Sequence, residues 1–163
     1  MPTYTVAMLN QTIVADATLV IIHSEATVSA AGSLLQVLRC GVSQNETETG
    51  QQLGVMVAQK ASAFGTYTAT TPAPHAIGGA ASPITGGTAG AESTAGTDAS
   101  AEGAGTVSPI FEEGFDNRNG WLYVPTVEER PILLPDTAII VKIIGTPATL
   151  TGWNAFITFR DLT

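Results

Sequence analysis

Three prolines, Pro125, Pro131 and Pro135, fall within eleven positions of one another inside the stretch 120–144, GWLYVPTVEERPILLPDTAIIVKII. Proline fixes φ, donates no backbone hydrogen bond and pushes the residue before it towards extended backbone, so this spacing excludes a helix. The stretch therefore reads as a strand over 121–124, an edge or turn carrying the prolines, and a second strand over 138–144. Whatever this chain folds into must accommodate that pair.

The remaining periodicity agrees. Residues 3–9 alternate, with Tyr4, Val6 and Met8 on one face and Thr3, Thr5 and Ala7 on the other, the period of a strand. Residues 18–23, TLVIIH, are apolar on both faces and predict a strand buried on both sides. Residues 24–33 read as a loop. Leu34, Leu35 and Leu38 also satisfy a helical spacing, but Gly41 and the turn-forming 43–46 favour a strand over 34–42. A hairpin arm follows at 53–59 after a loop at 45–50, then a threonine-rich strand at 64–70 that stops at Pro72 and Pro74. A strand at 107–111 leads through an acidic turn at 112–120 into the stretch above, and a strand at 153–162 ends the chain. About eight strands at this spacing predict an all-β chain, an antiparallel β-sandwich of jelly-roll type spanning residues 1–163 as one domain.

Residues 78–106 differ in kind. Gly, Ala, Thr and Ser fill 24 of the 29 positions, and Ile84 is the one large apolar side chain. A segment that buries so little of itself does not offset the ~1–2 kcal/mol per residue that ordering backbone costs. The composition predicts a low-complexity loop inserted in the domain, dispensable for folding and ordered only against another surface.

Composition narrows the function classes. Only 12% of residues are charged and the net charge is −8, with Arg39, Lys60, Arg118, Arg130, Lys142 and Arg160 scattered singly. No basic patch forms that would neutralise phosphates, which argues against nucleic acid. No apolar run is long enough for a membrane helix, and the N-terminus has neither the basic nor the apolar region of a secretory leader. Cys40 is the single cysteine, so packing or assembly must hold the fold without an internal disulfide.

Constellations that carry chemistry are sparse. A metal site on a jelly roll takes several convergent ligands, and only His23 and His75 are present. Cys40 sits in an apolar strand and reads as a core residue rather than a thiolate. Glu112, Glu113 and Asp116 with Asn117 and Asn119 offer oxygens to a calcium ion but lack EF-hand spacing, and solvated turn residues are the simpler reading. The pairs Gly78–Gly79 and Gly86–Gly87 are not followed by GK[ST], and no serine sits in a nucleophile elbow. The triplets at 10–12 and 45–47 match a glycosylation acceptor without a leader to give them meaning. No catalytic residue, metal ligand or cofactor site is assigned, and no enzyme is expected.

The succession of an alternating early strand, LQVLRCGVS (35–43), QQLGVMV (51–57), a small-residue insertion, GWLYVPTVEERP (120–131) and a last strand with ITF (157–159) resembles the small β-sandwich structural proteins of tailed bacteriophages. Within that class it is most like the trimeric jelly-roll capsid decoration (cement) proteins. The resemblance implies a homotrimer, made in the host cytoplasm, that binds the major capsid protein on the outer surface of the virion head and stabilises the shell. Trp121, Tyr123 and Trp153 are then candidates for large contact area, with Arg130 and Glu128 or Glu129 as a polar rim. The alternatives are a phage tail or fibre sandwich, and a carbohydrate-binding module in which Trp121, Tyr123 and Trp153 stack on sugar rings.

Overall fold

A computed structural model describes residues 1–24, 34–45, 50–87 and 93–162. Residues 25–33 of the expected loop over 24–33, most of the loop over 45–50 and residues 88–92 of the small-residue tract lie outside the described residues, and Ser24, expected in that loop, ends a strand. The strands are β1 (Thr3–Gln11), β2 (Thr18–Ser24), β3 (Leu35–Gln44), β4 (Gln52–Ala61), β5 (Gly65–Ala69), β6 (Ala73–Pro74), β7 (Thr85–Gly86), β8 (Thr94–Glu102), β9 (Thr106–Asp116), β10 (Trp121–Tyr123), β11 (Ile132–Leu133), β12 (Thr137–Ile144) and β13 (Trp153–Asp161). The one helical element among the described residues is a single 3-10 turn, Val127–Glu129. The protein is all-β, with two sheets packed face to face.

Eight strands set the architecture. Strand β1 lies antiparallel to β13, β2 to β12, β3 to β10 and β4 to β9. The chain is thus doubled into one long hairpin, and the hairpin is wrapped so that β13 also pairs with β3 and β12 with β4. The two sheets that result, β10-β3-β13-β1 and β2-β12-β4-β9, are those of a jelly roll. Alternating side chains from both inner faces fill the space between them, including Tyr4, Val6, Leu19, Val37, Val55, Ile139, Trp153, Ile157 and Phe159.

Everything between β4 and β9 is inserted at the tip of that hairpin. Strands β8 and β5 extend the second sheet beyond β2, whereas β6 adds to the first sheet beside β1. The insertion thus spans both sheets along the β1/β2 side of the sandwich. Ile84, fully buried, plugs into the main core, and the Tyr4 hydroxyl donates to the Ala81 carbonyl at 3.1 Å.

This corrects the expectation that 78–106 is a loop throughout. Thr94, Ala95, Gly96, Thr97 and Ala99 of β8 are buried, and β8 pairs antiparallel with both β2 and β5. Two neighbouring ladders satisfy its backbone, and its lack of bulk is what admits other side chains. A Cβ at Gly96 would stand 2.7 Å from the Cβ of Tyr67, so only glycine lets that aromatic close over the sheet. Composition predicted no burial because it counts the side chains of the tract and not those that pack on it.

A second core forms on the outer face of the extended sheet, where Phe64, Tyr67 and Ala99 join Ile21, Met56, Ala58, Ala138 and Ile140. With apolar layers on both sides, all seven residues of β2 are buried, as its doubly apolar pattern predicts.

The prolines fall at the rims. The 3-10 turn lies between Pro125 and Pro131, and β10 and β11 both pair with β3, forming one edge interrupted where proline cannot donate. Pro109 sits in β9 and Pro74 in β6, each at the end of its sheet. The expected acidic turn is shorter than 112–120, because β9 runs to Asp116 and pairs with β4 up to Gln52.

Candidate functional site

The groups with intrinsic reactivity are separated from one another. His23 is buried on β2 with its ring 4.2 Å from that of Phe64, while exposed His75 beside β6 on the other sheet shares a 2.7 Å hydrogen bond with the Thr5 hydroxyl. Cys40 is enclosed between the sheets, and burial raises its thiol far above its ordinary pKa, so it stays a neutral core side chain. Among the described residues no three His, Cys, Asp or Glu side chains converge as metal ligands. The acidic segment is dispersed by strand alternation and internal bonds. Asn117 is buried, accepting from the Gln51 amide at 2.8 Å and donating to Gln44 Oε1 at 2.9 Å, and Asp116 pairs with Arg118.

Two surface features remain. The first crosses the outer face of the first sheet. Register places Ala7, Phe156, Gly41 and Leu122 side by side on four adjacent strands. The Phe156 ring lies over Gly41, where an added Cβ would come within 2.4 Å of it, and the Arg39 guanidinium stands 5.6 Å from the same ring. Leu9 and Leu122 are 72% and 59% exposed, and these side chains border a shallow groove of about 560 Å³. Asn154, at its edge, is already engaged with the Asn10 amide and Ser43.

The second feature is the side of the sandwich opposite the insertion, where β9 of one sheet faces β10 of the other. Trp121 and Tyr123 project inward from β10, partly buried against the core, and Phe111 of β9 meets them at ring separations of 6.3 and 4.9 Å. Trp121 Nε1 donates to Glu113 Oε2 at 3.1 Å, tying the two sheets together. Burial above all, and the Glu129 carboxylate nearby, raise the Tyr123 phenol. Beside this cluster runs a groove of about 480 Å³ lined by Ile110, Phe111, Tyr123, Val124, Glu113 and Glu129 among others.

The structure separates the predicted contact residues. Trp121 and Tyr123 come together at the open side. Arg130 ends the 3-10 turn nearby in sequence, half-buried, its Nε without a hydrogen-bond partner, and it forms no ion pair with Glu128 or Glu129. Trp153 is a correction: it is fully enclosed, its indole donating to the Thr149 carbonyl at 3.0 Å, so it has no surface to offer a partner or a sugar.

Sequence reasoning missed a buried ion pair. Lys60 on β4 has no exposed surface and donates to Glu102 Oε2 of β8 at 3.1 Å, while the Thr18 backbone amide of β2 donates to Glu102 Oε1. Burial raises the Glu102 carboxyl, but the Thr18 bonds and the Lys60 ammonium outweigh it and hold the group below its usual pKa. The available signal was Met56 and Ala58, which make the second face of β4 apolar up to Lys60.

Neither a known protein family, nor a curated protein, nor a solved structure matches this chain.

Proposed function

We propose that the protein is a non-enzymatic virion component, a decoration protein that binds the outer surface of a phage head as a homotrimer and stabilises the shell. The observation that carries this reading is the apolar row Ala7–Phe156–Gly41–Leu122, set in register across the outward face of a jelly-roll sheet and flanked by Leu9. An exposed apolar face of this kind is suited to burial against another copy, and the Arg39 guanidinium is folded down onto Phe156. Three copies then present the same contacts to the shell, so each contact after the first forms intramolecularly. A carbohydrate platform is less well supported, because Trp153 is enclosed and Trp121 and Tyr123 lie parallel to one another beside Phe111.

The test is sedimentation of the purified protein followed by mixing with phage heads stripped of decoration. A trimer that binds heads and raises their resistance to heat is expected, with Leu122→Asp giving folded monomer. A wild-type monomer that leaves heads unbound rejects the proposal, and attachment to tails alone replaces it with the tail or fibre reading.

A further inference from the structure

We propose that the groove on the open side docks an extended segment of a partner protein that carries both aliphatic and Lys or Arg side chains, added as a strand beside β9. The inference rests on the assembly reading above and names the chemistry of the shell segment this protein grips.

Four observations converge. Strand β9 is eleven residues long and ends its sheet, pairing with β4 on one side and, among the described residues, with no strand on the other. A free edge is a template for another strand unless something blunts it. Here Pro109 and the register shift at Val57/Ala58 blunt its first half, leaving the part that follows, from Ile110 onward, beside the groove. The floor is apolar, with Ile110, Phe111, Tyr123 and Val124 placed to receive alternate side chains of an incoming strand. The rim is acidic: Glu113 and Glu129 line the groove, Glu112 and Glu128 adjoin them, all four are exposed, and none forms an ion pair among the described residues.

Charge then selects the occupant. A second copy brought edge to edge would set Glu112 and Glu113 against their own equivalents, and this chain has almost no cation to spare. Lys60 is buried with Glu102, Arg118 pairs with Asp116, Lys142 with Asp16, Arg39 lies over Phe156 and Arg160 bonds Gln36, which leaves Arg130. The complement of four carboxylates must come from a different chain. Opposite charges at a rim steer encounter and suppress wrong partners, while the apolar floor supplies the contact.

The probe is a capped peptide of about six residues, the usual strand length, alternating valine and lysine. Titrated into the full-length protein, it should bind saturably, and Glu113→Lys with Glu129→Lys should weaken it about tenfold. Peptides in which glutamate replaces lysine, or serine replaces valine, should bind far more weakly, and Ile77→Asp, at an exposed position of the insertion outside both grooves, should leave the affinity unchanged. Circular dichroism melts confirm that each variant is folded. Absence of saturable binding, equal binding of either control peptide, or indifference to the charge reversals overturns the docking groove. If the peptide binds as expected but the protein ignores stripped heads, the groove stands and the decoration reading falls. If heads are decorated regardless of the reversals, the groove falls and the decoration reading stands.

Discussion

The two long sides of this sandwich are finished differently. Along the β1/β2 side the insertion extends both sheets, lays small residues of β8 beside β2 and drops Ile84 into the core. Along the β9/β10 side no strand is added among the described residues, and a half-buried aromatic cluster with an acidic rim meets solvent. A jelly roll leaves four sheet edges, and each is paired, covered or left available. The closed side uses its edges for stability. The open side keeps one free among the described residues, with carboxylates and Pro109 along it that disfavour self-pairing.

The largest test replaces 78–106 with a short Gly-Ser linker. Because β8 covers β2 and carries Glu102, this should cost more than about 5 kcal/mol, the scale of a whole domain's stability, and abolish the cooperative transition in urea. An unchanged midpoint would mean the closed side is ornament.

Next come the ion-pair variants, which separate the charge from the packing. Glu102→Gln strands the enclosed Lys60 ammonium and should cost about 3 kcal/mol, whereas Lys60→Met leaves a carboxylate that still accepts from Thr18 and should cost only about 1 kcal/mol. Their order in denaturant titrations is the check. The pH dependence has a definite sign. The folded Glu102 pKa is depressed, so its stabilisation is fully present above the unfolded value of about 4.3 and is lost as pH falls through the folded value. Glu102→Gln should lack that part of the acid-side slope.

On the open side no single substitution should cost as much as Glu102→Gln. Trp121→Ala should cost about 2 kcal/mol, roughly half the price of a fully buried tryptophan, because its ring is half-buried. Glu129→Lys should shift the thermal midpoint little, as exposed substitutions change stability by about 0.5 kcal/mol or less, whereas Glu113→Lys also loses the bond from Trp121 and should cost about 1 kcal/mol. A large loss from either reversal would place the acidic rim in the fold and blur the contrast between the sides.

Much of the frame is legible in the residues. Alternation marks β1, β4 and β13, and the doubly apolar 18–23 correctly announces a strand with cores on both faces. The prolines carry more than their role as helix breakers: Pro74, Pro109, Pro125 and Pro131 all lie in or beside edge strands, because an edge is where a missing donor costs least. Trp121, Tyr123 and Trp153 were indistinguishable in the sequence, since that Trp153 alone is fully enclosed depends on the packing of the two sheets around it.

Local chemistry therefore determined the strand content, the breaks and the shortage of reactive groups, since each follows from backbone preference and side-chain type along a few residues. Tertiary structure alone decided that a Gly/Ala/Thr tract becomes a buried strand, that Lys60 meets Glu102 forty-two positions away, and that carboxylates from β9 and the 3-10 turn share one groove. The physical reason is that burial of small residues, pairing of charges and convergence on a rim are properties of neighbours, and in a hairpin wrapped first strand against last the neighbours are distant in the chain.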